Sequence, residues 1–233
     1  FANLDMLVAG LIATTILLAA EAGLNAERGL PYKRLLAGAY LGAALGVLAK
    51  GLIGAVLPGM VLVAWLAWNR RLVLMRKLVW LPGLAVFLLV AVPWFVAMQA
   101  RFPEFLNYFF VYQQFQRFAE GGFNNPMPFW FYPPAILLLI LPWSWWLPAA
   151  LKRTRLEAET KPTIRSLMWI WPAVIVGFFS IPSSKLVGYV LPVLPPLAYL
   201  IAEGLVRKWG DVPNPRFLKD RKSTRLNSSH GYI

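Results

Sequence analysis

Five side chains in this chain have the types and positions to handle an anionic, hydroxyl-rich substrate: Asp5, Lys50, Arg117, Lys185 and Tyr189. Lys50 sits in Leu48-Ala-Lys-Gly51, between two apolar stretches. A lysine held at depth in a bilayer costs about 2–3 kcal/mol. It reads equally as an anchor reaching the headgroups or as a phosphate partner beside a tight glycine turn. Lys185 ends Ile181-Pro-Ser-Ser-Lys185, and Tyr189 follows four residues later. Pro182 frees backbone groups, Ser183 and Ser184 add hydroxyls, and helical spacing would put Tyr189 on the face of Lys185. That set suits a phosphate, although an ordinary turn between spans needs no more. Arg117 can grip a phosphate with its planar fork or simply face headgroups. Asp5 can bind a metal, a sugar hydroxyl or a cation, or cap the helix it opens.

Other chemistries are excluded. The chain has no cysteine, so disulfide and thiol chemistry are absent, and its one histidine is His230. His230 lies in residues 220–233, a tail without apolar period that resembles translated sequencing-adapter sequence and is expected to be disordered. The body therefore has neither a histidine acid–base pair nor a histidine-ligated metal. The net charge of +13 is spread between apolar stretches instead of along one stripe, so nucleic acid is not an expected partner.

The elements that must position these side chains are membrane spans. Hydrophobic residues make up 59% of the sequence and charged residues only 14%, against about a quarter in soluble domains. Seven apolar stretches stand out: Leu4–Ala22, Leu35–Ala49, Leu52–Trp68, Leu78–Met98, Phe129–Ala150, Leu167–Ile181 and Leu186–Leu205. Backbone polar groups have no partner in lipid, so each is expected to be a helix. Twelve lysines and arginines fall in the alternate turns Asn25–Arg34, Asn69–Lys77 and Lys152–Arg165, which marks those turns as cytoplasmic. The five side chains above all lie at the opposite junctions. Residues 206–219 then read as a cytoplasmic linker.

Three further patterns bear on packing. Gly38, Gly42 and Gly46 predict a smooth stripe for close helix approach. Trp94, Trp130, Tyr132, Trp143, Trp145 and Trp146 read as interfacial anchors. The outward segment Gln99–Met127, with apolar residues at 105, 109 and 112, predicts an amphipathic helix on the membrane surface. No internal repeat of the transporter kind is visible.

The motifs Asn3-Leu-Asp5, Gly46-Val-Leu-Ala-Lys-Gly51, Val92-Pro-Trp94, Phe102-Pro-Glu-Phe105, Tyr108-Phe-Phe110, Gln116-Arg-Phe118, Pro128-Phe-Trp-Phe-Tyr132 and Ser184-Lys-Leu-Val-Gly-Tyr189 occur in this order. Together they resemble the GT-C fold glycosyltransferases that use polyprenyl-phosphate sugars. Within these, the chain is most similar to the 4-amino-4-deoxy-L-arabinose lipid A transferase group and its protein-mannosyltransferase-like relatives. The resemblance covers about residues 1–205 and implies an all-α bundle in a bacterial inner membrane.

It further implies an inverting transfer of a sugar from a polyprenyl-phosphate donor at the periplasmic face, to lipid A, protein or another envelope glycan. Lys50, Arg117, Lys185 and Tyr189 match family positions near the donor phosphate and sugar, and Asp5 an acidic position at the same face. Asn125 stands where the arabinose-transferase group has a histidine that helps hold a divalent metal. Asparagine replaces a zinc ligand poorly, though it suits a harder ion or a sugar hydroxyl, so no cofactor is implied with certainty. The family's Asp-Glu loop, expected to supply the catalytic carboxylate, lies upstream of residue 1. The catalytic residue is therefore unknown, and the chain is expected to be an inactive fragment on its own. A lipid-phosphate transporter and a non-catalytic scaffold are the alternatives.

Overall fold

A computed structural model describes residues 4–110, 126–148 and 162–210, with side chains 162–163 and 207–210 left aside. The described chain consists of helices joined by turns and short irregular stretches, with an isolated antiparallel bridge between Pro126 and Ser184. The helices are α1 (Asp5–Glu27), α2 (Lys33–Lys50), α3 (Ile53–Trp68), the single turn α4 (Met75–Leu78), α5 (Leu81–Arg101), α6 (Tyr132–Leu139), α7 (Pro162–Ser180) and α8 (Leu194–Gly210). A 3-10 segment, Val187–Val193, leads into α8.

Three described helical stretches are long and apolar enough to cross a membrane: Asp5–Glu27, Leu81–Arg101 and Val187–Val206; Ile53–Trp68 and Ile164–Ser180 are shorter apolar helices. α1 packs along α2, α3 and the 3-10 segment, and α3 packs on α7. Trp65, Trp171, Ile12, Ile16, Leu57 and Leu200 are fully buried in this core. α5 rests mainly on α2 and buries only Gly83, Ala91 and Phe95, so most of its surface is free for lipid.

Two spans depart from single helices. The stretch Phe129–Ala150 breaks after Leu139, passes the cis peptide Leu141-Pro142 and continues as the 3-10 turn Trp143–Trp146. Pro192 removes a donor from the backbone, and the start of the last span is wound as 3-10 rather than α. The glycine stripe is divided between two neighbours. Gly38 and Gly42 face Leu18 and Thr15 of α1, whereas Gly46 meets the backbone of Gly54 in α3.

The aromatic outward segment is helical over residues 105–110, and its residues 111–125 lie outside the described residues. Phe105 and Phe109 stack at 5.5 Å and both pack on Phe95 of α5, while Trp94 meets Phe105 edge-on. Gln99 closes the entry turn, accepting from the Leu106 N–H at 2.9 Å and donating to the Pro103 carbonyl. Tyr132, read as an interfacial anchor, is instead fully buried, and its hydroxyl has no hydrogen-bond partner among the described residues.

Candidate functional site

Asp5 and Lys50 are 45 positions apart in sequence and joined in space. Asp5 lies in the first turn of α1, and Lys50 in the last turn of α2. Each charge thus faces the favourable end of its own helix dipole. Gly51 then reverses the chain at φ 86°, ψ −161°, a conformation that a Cβ would strain. α3 starts beside α2 because Gly46 and Gly54 touch through their backbones; a methyl on Gly54 would overlap Gly46 and come within 2.6 Å of the Val47 nitrogen. This hairpin fixes Lys50 at the bundle end, where its ammonium donates to Asp5 Oδ1.

The 3-10 segment completes the site. Gly188 presses against the Asp5 carboxylate, so that a methyl there would overlap Oδ2. The Tyr189 ring lies below the Lys50 ammonium, 4.7 Å from Nζ to centroid, and stacks on Phe179 at 5.0 Å. Asp5, Lys50, Phe179, Gly188, Tyr189 and Pro192 line a cleft of about 10 Å³, with Val8, Ile12, Ile53 and Leu57 behind them. That volume holds about one water molecule, so a sugar phosphate needs the walls to part or binds at the rim. Asp5 is buried at 9% exposure, whereas Lys50 keeps 30%. An ammonium has three donors, and the pairing with Asp5 leaves capacity for an anion.

Lys185 sits apart from this cleft. It is only 3% exposed, and its ammonium donates to the Pro182 carbonyl at 2.6 Å and the Met127 carbonyl at 3.1 Å. With the Met127 N–H donating to the Ser183 carbonyl at 3.0 Å, it ties residues 126–128 to the turn after α7. The expectation that Lys185 and Tyr189 share a helix face is corrected. Residues 181–186 are not helical, and the N–H of Tyr189 donates to the Leu186 carbonyl within a 3-10 turn. Arg117 and Asn125 fall outside the described residues.

Sequence reasoning brought Asp5, Lys50 and Tyr189 to one face but overlooked Phe179 and Gly188. Gly188 stood in a quoted motif and carried a signal only as a backbone surface. No group of three histidine, cysteine, aspartate or glutamate side chains converges among the described residues, and the cleft's carboxylate is engaged by Lys50.

No protein-family model matches the chain. Over 179 residues, 75% of its length, it is 36% identical to an undecaprenyl phosphate-alpha-4-amino-4-deoxy-L-arabinose arabinosyl transferase from Pseudomonas aeruginosa. A protein of the same name from Aeromonas hydrophila is 38% identical over 169 residues, 71% of the chain. The fold matches the crystal structure of ArnT from Cupriavidus metallidurans bound to undecaprenyl phosphate, at a TM-score of 0.74 and 32% identity, over 90% of this chain and 38% of that one. The chain spans about a third of the length of the curated relatives, 32% of the first and 30% of the second.

Proposed function

We propose that the chain, a multi-pass membrane relative of the undecaprenyl phosphate-aminoarabinose transferases, serves glycosyl transfer from a polyprenyl-phosphate donor, with 4-amino-4-deoxy-L-arabinose as the sugar and lipid A as the acceptor. The reaction would take place at the periplasmic face of a bacterial inner membrane. One observation carries the reading most: Lys50, Asp5 and Tyr189 meet at one bundle end, in a chain 36% identical to transferases that use such a donor.

In the proposed displacement a bond forms between the acceptor oxygen and the sugar's anomeric carbon as the bond from that carbon to the phosphate oxygen breaks. The electron pair leaves with the polyprenyl phosphate, and the acceptor proton passes to a base outside the described residues. Lys50 counters the charge that grows on the departing phosphate, held there by Asp5 and steadied by the Tyr189 ring. Arg117 is a second phosphate contact in this reading. Asn125 takes a sugar hydroxyl.

The test is transfer itself. The purified full-length protein, carrying the segment upstream of residue 1, in liposomes with undecaprenyl phosphate-aminoarabinose and lipid A should yield the modified lipid by mass spectrometry, and Lys50→Met should lower the rate about a hundredfold or more. Donor movement between leaflets without modified lipid A would favour a lipid-phosphate transporter, and neither activity a scaffold.

A further inference from the structure

At the bundle end remote from Lys50, α1 and α3 stop with the same backbone geometry and different residues. α1 closes with Gly29 at φ 72° and the Leu30 N–H donating to the Asn25 carbonyl at 2.8 Å. α3 closes with the Arg71 N–H donating to the Leu66 carbonyl at 2.8 Å, and the left-handed position is held by Arg70 at φ 54°. Such an end favours glycine, and Arg70 is the one non-glycine residue with positive φ among the described residues. Sorting charge to this side would be satisfied by Arg71, Arg76 and Lys77, none of which has a positive φ. It does not ask for a cation at the strained position.

The two ends are stitched together. Arg71 donates to Glu27 at 2.7 Å, and Lys77 donates to the Ala26 carbonyl at 2.9 Å. Arg28, Lys33, Arg34, Arg70 and Arg76 are all exposed on this face, and none pairs with a carboxylate among the described residues. Glu27, the nearest acid in sequence to Arg28, is already engaged by Arg71. The same face exposes Trp68 at 76%, Val73 at 75%, Val79 at 70% and Leu81 at 78%. Cations interleaved with exposed aromatic and aliphatic side chains at the end of a membrane bundle suit the depth of lipid headgroups.

We propose that this face is a binding site for an anionic phospholipid, with the headgroup phosphate on Arg70 and its neighbours Arg28 and Arg76, and the acyl chains against Trp68 and Val73. Arg70 keeps its costly backbone conformation because its guanidinium meets that phosphate. The site is separate from the Lys50 cleft and does not depend on the transfer reaction.

Thermal unfolding of the purified protein in neutral detergent tests this, with phosphatidylglycerol, phosphatidylcholine or inorganic phosphate added. Phosphatidylglycerol should raise the midpoint, and phosphatidylcholine should not. Arg70→Gly should leave the lipid-free midpoint unchanged or higher, because glycine relieves the left-handed strain. It should also weaken phosphatidylglycerol binding about fivefold, the effect of one headgroup cation. Arg76→Gln should give the same weakening without the rise. An undiminished response to phosphatidylglycerol in both variants overturns the proposal. Equal stabilisation by phosphatidylcholine overturns the anionic preference, and equal stabilisation by inorganic phosphate overturns the lipid in favour of a free-anion site.

Discussion

Replacing Gly188 with alanine probes the cleft without touching a charge. The added methyl would overlap Asp5 Oδ2 and stand 3.0 Å from Cγ, closer than most real carbon contacts. Asp5 is 9% exposed, so its carboxylate cannot swing freely into solvent and has to move relative to Lys50. Overpacking of this kind costs about 1–3 kcal/mol. A charge-assisted hydrogen bond is worth about 1.5–3 kcal/mol, and the partial exposure of Lys50 favours the lower figure. If the disturbance is felt at the donor phosphate, each 1.4 kcal/mol is about tenfold in kcat/KM, so the variant should lose roughly tenfold to a hundredfold. The assay is transfer kinetics in Gly188→Ala, Asp5→Asn and the double variant. Acting through Asp5, the glycine change should lose most of its effect in the Asp5→Asn background. Gly177→Ala is the control, because a methyl there meets nothing within 4 Å. Full additivity of the two changes, or wild-type kinetics in Gly188→Ala, would refute the reasoning.

Three further outcomes follow from the packing. Gly54→Ala should spread the α2–α3 hairpin and lower the melting temperature by several degrees, as its methyl would overlap the Gly46 backbone. Lys185→Met should cost about 2–4 kcal/mol in unfolding free energy by leaving the Met127 and Pro182 carbonyls without their charged donor, and Lys185→Arg should recover part of it. An equally large fall in transfer with unchanged stability would instead make Lys185 a substrate ligand. Tyr132→Phe removes a hydroxyl that is buried without a partner, so stability should hold or rise by about 1 kcal/mol. A marked loss of donor affinity in that variant would show that the hydroxyl finds its partner in the bound state.

Charge placement made much of this site legible in the sequence. Lys50 and Asp5 border apolar stretches at junctions without clustered cations, which put both at one membrane face. Their pairing was not legible, because the contact spans 45 residues and depends on the backbone contact of Gly46 with Gly54. Tyr189 was placed at the right end for the wrong reason. A helical i, i+4 relation with Lys185 was assumed, but prolines 182 and 192 break the helix on either side. Composition could not separate Tyr132 from its aromatic neighbours either. Trp130 is 57% exposed and Tyr132 fully buried, and the difference comes from how α6 packs on the 3-10 segment. Phe105 and Phe109 were legible as one apolar face, although not as one that would pack on Phe95.

The most direct test of the central claim is the affinity of the purified protein for undecaprenyl phosphate, measured for wild type, Lys50→Arg and Lys50→Met under identical salt. If the Lys50 cleft receives the donor phosphate, Lys50→Met should bind about tenfold or more weakly and Lys50→Arg should retain most of the affinity. Equal affinity in wild type and Lys50→Met would contradict the account and move the phosphate to another part of the protein.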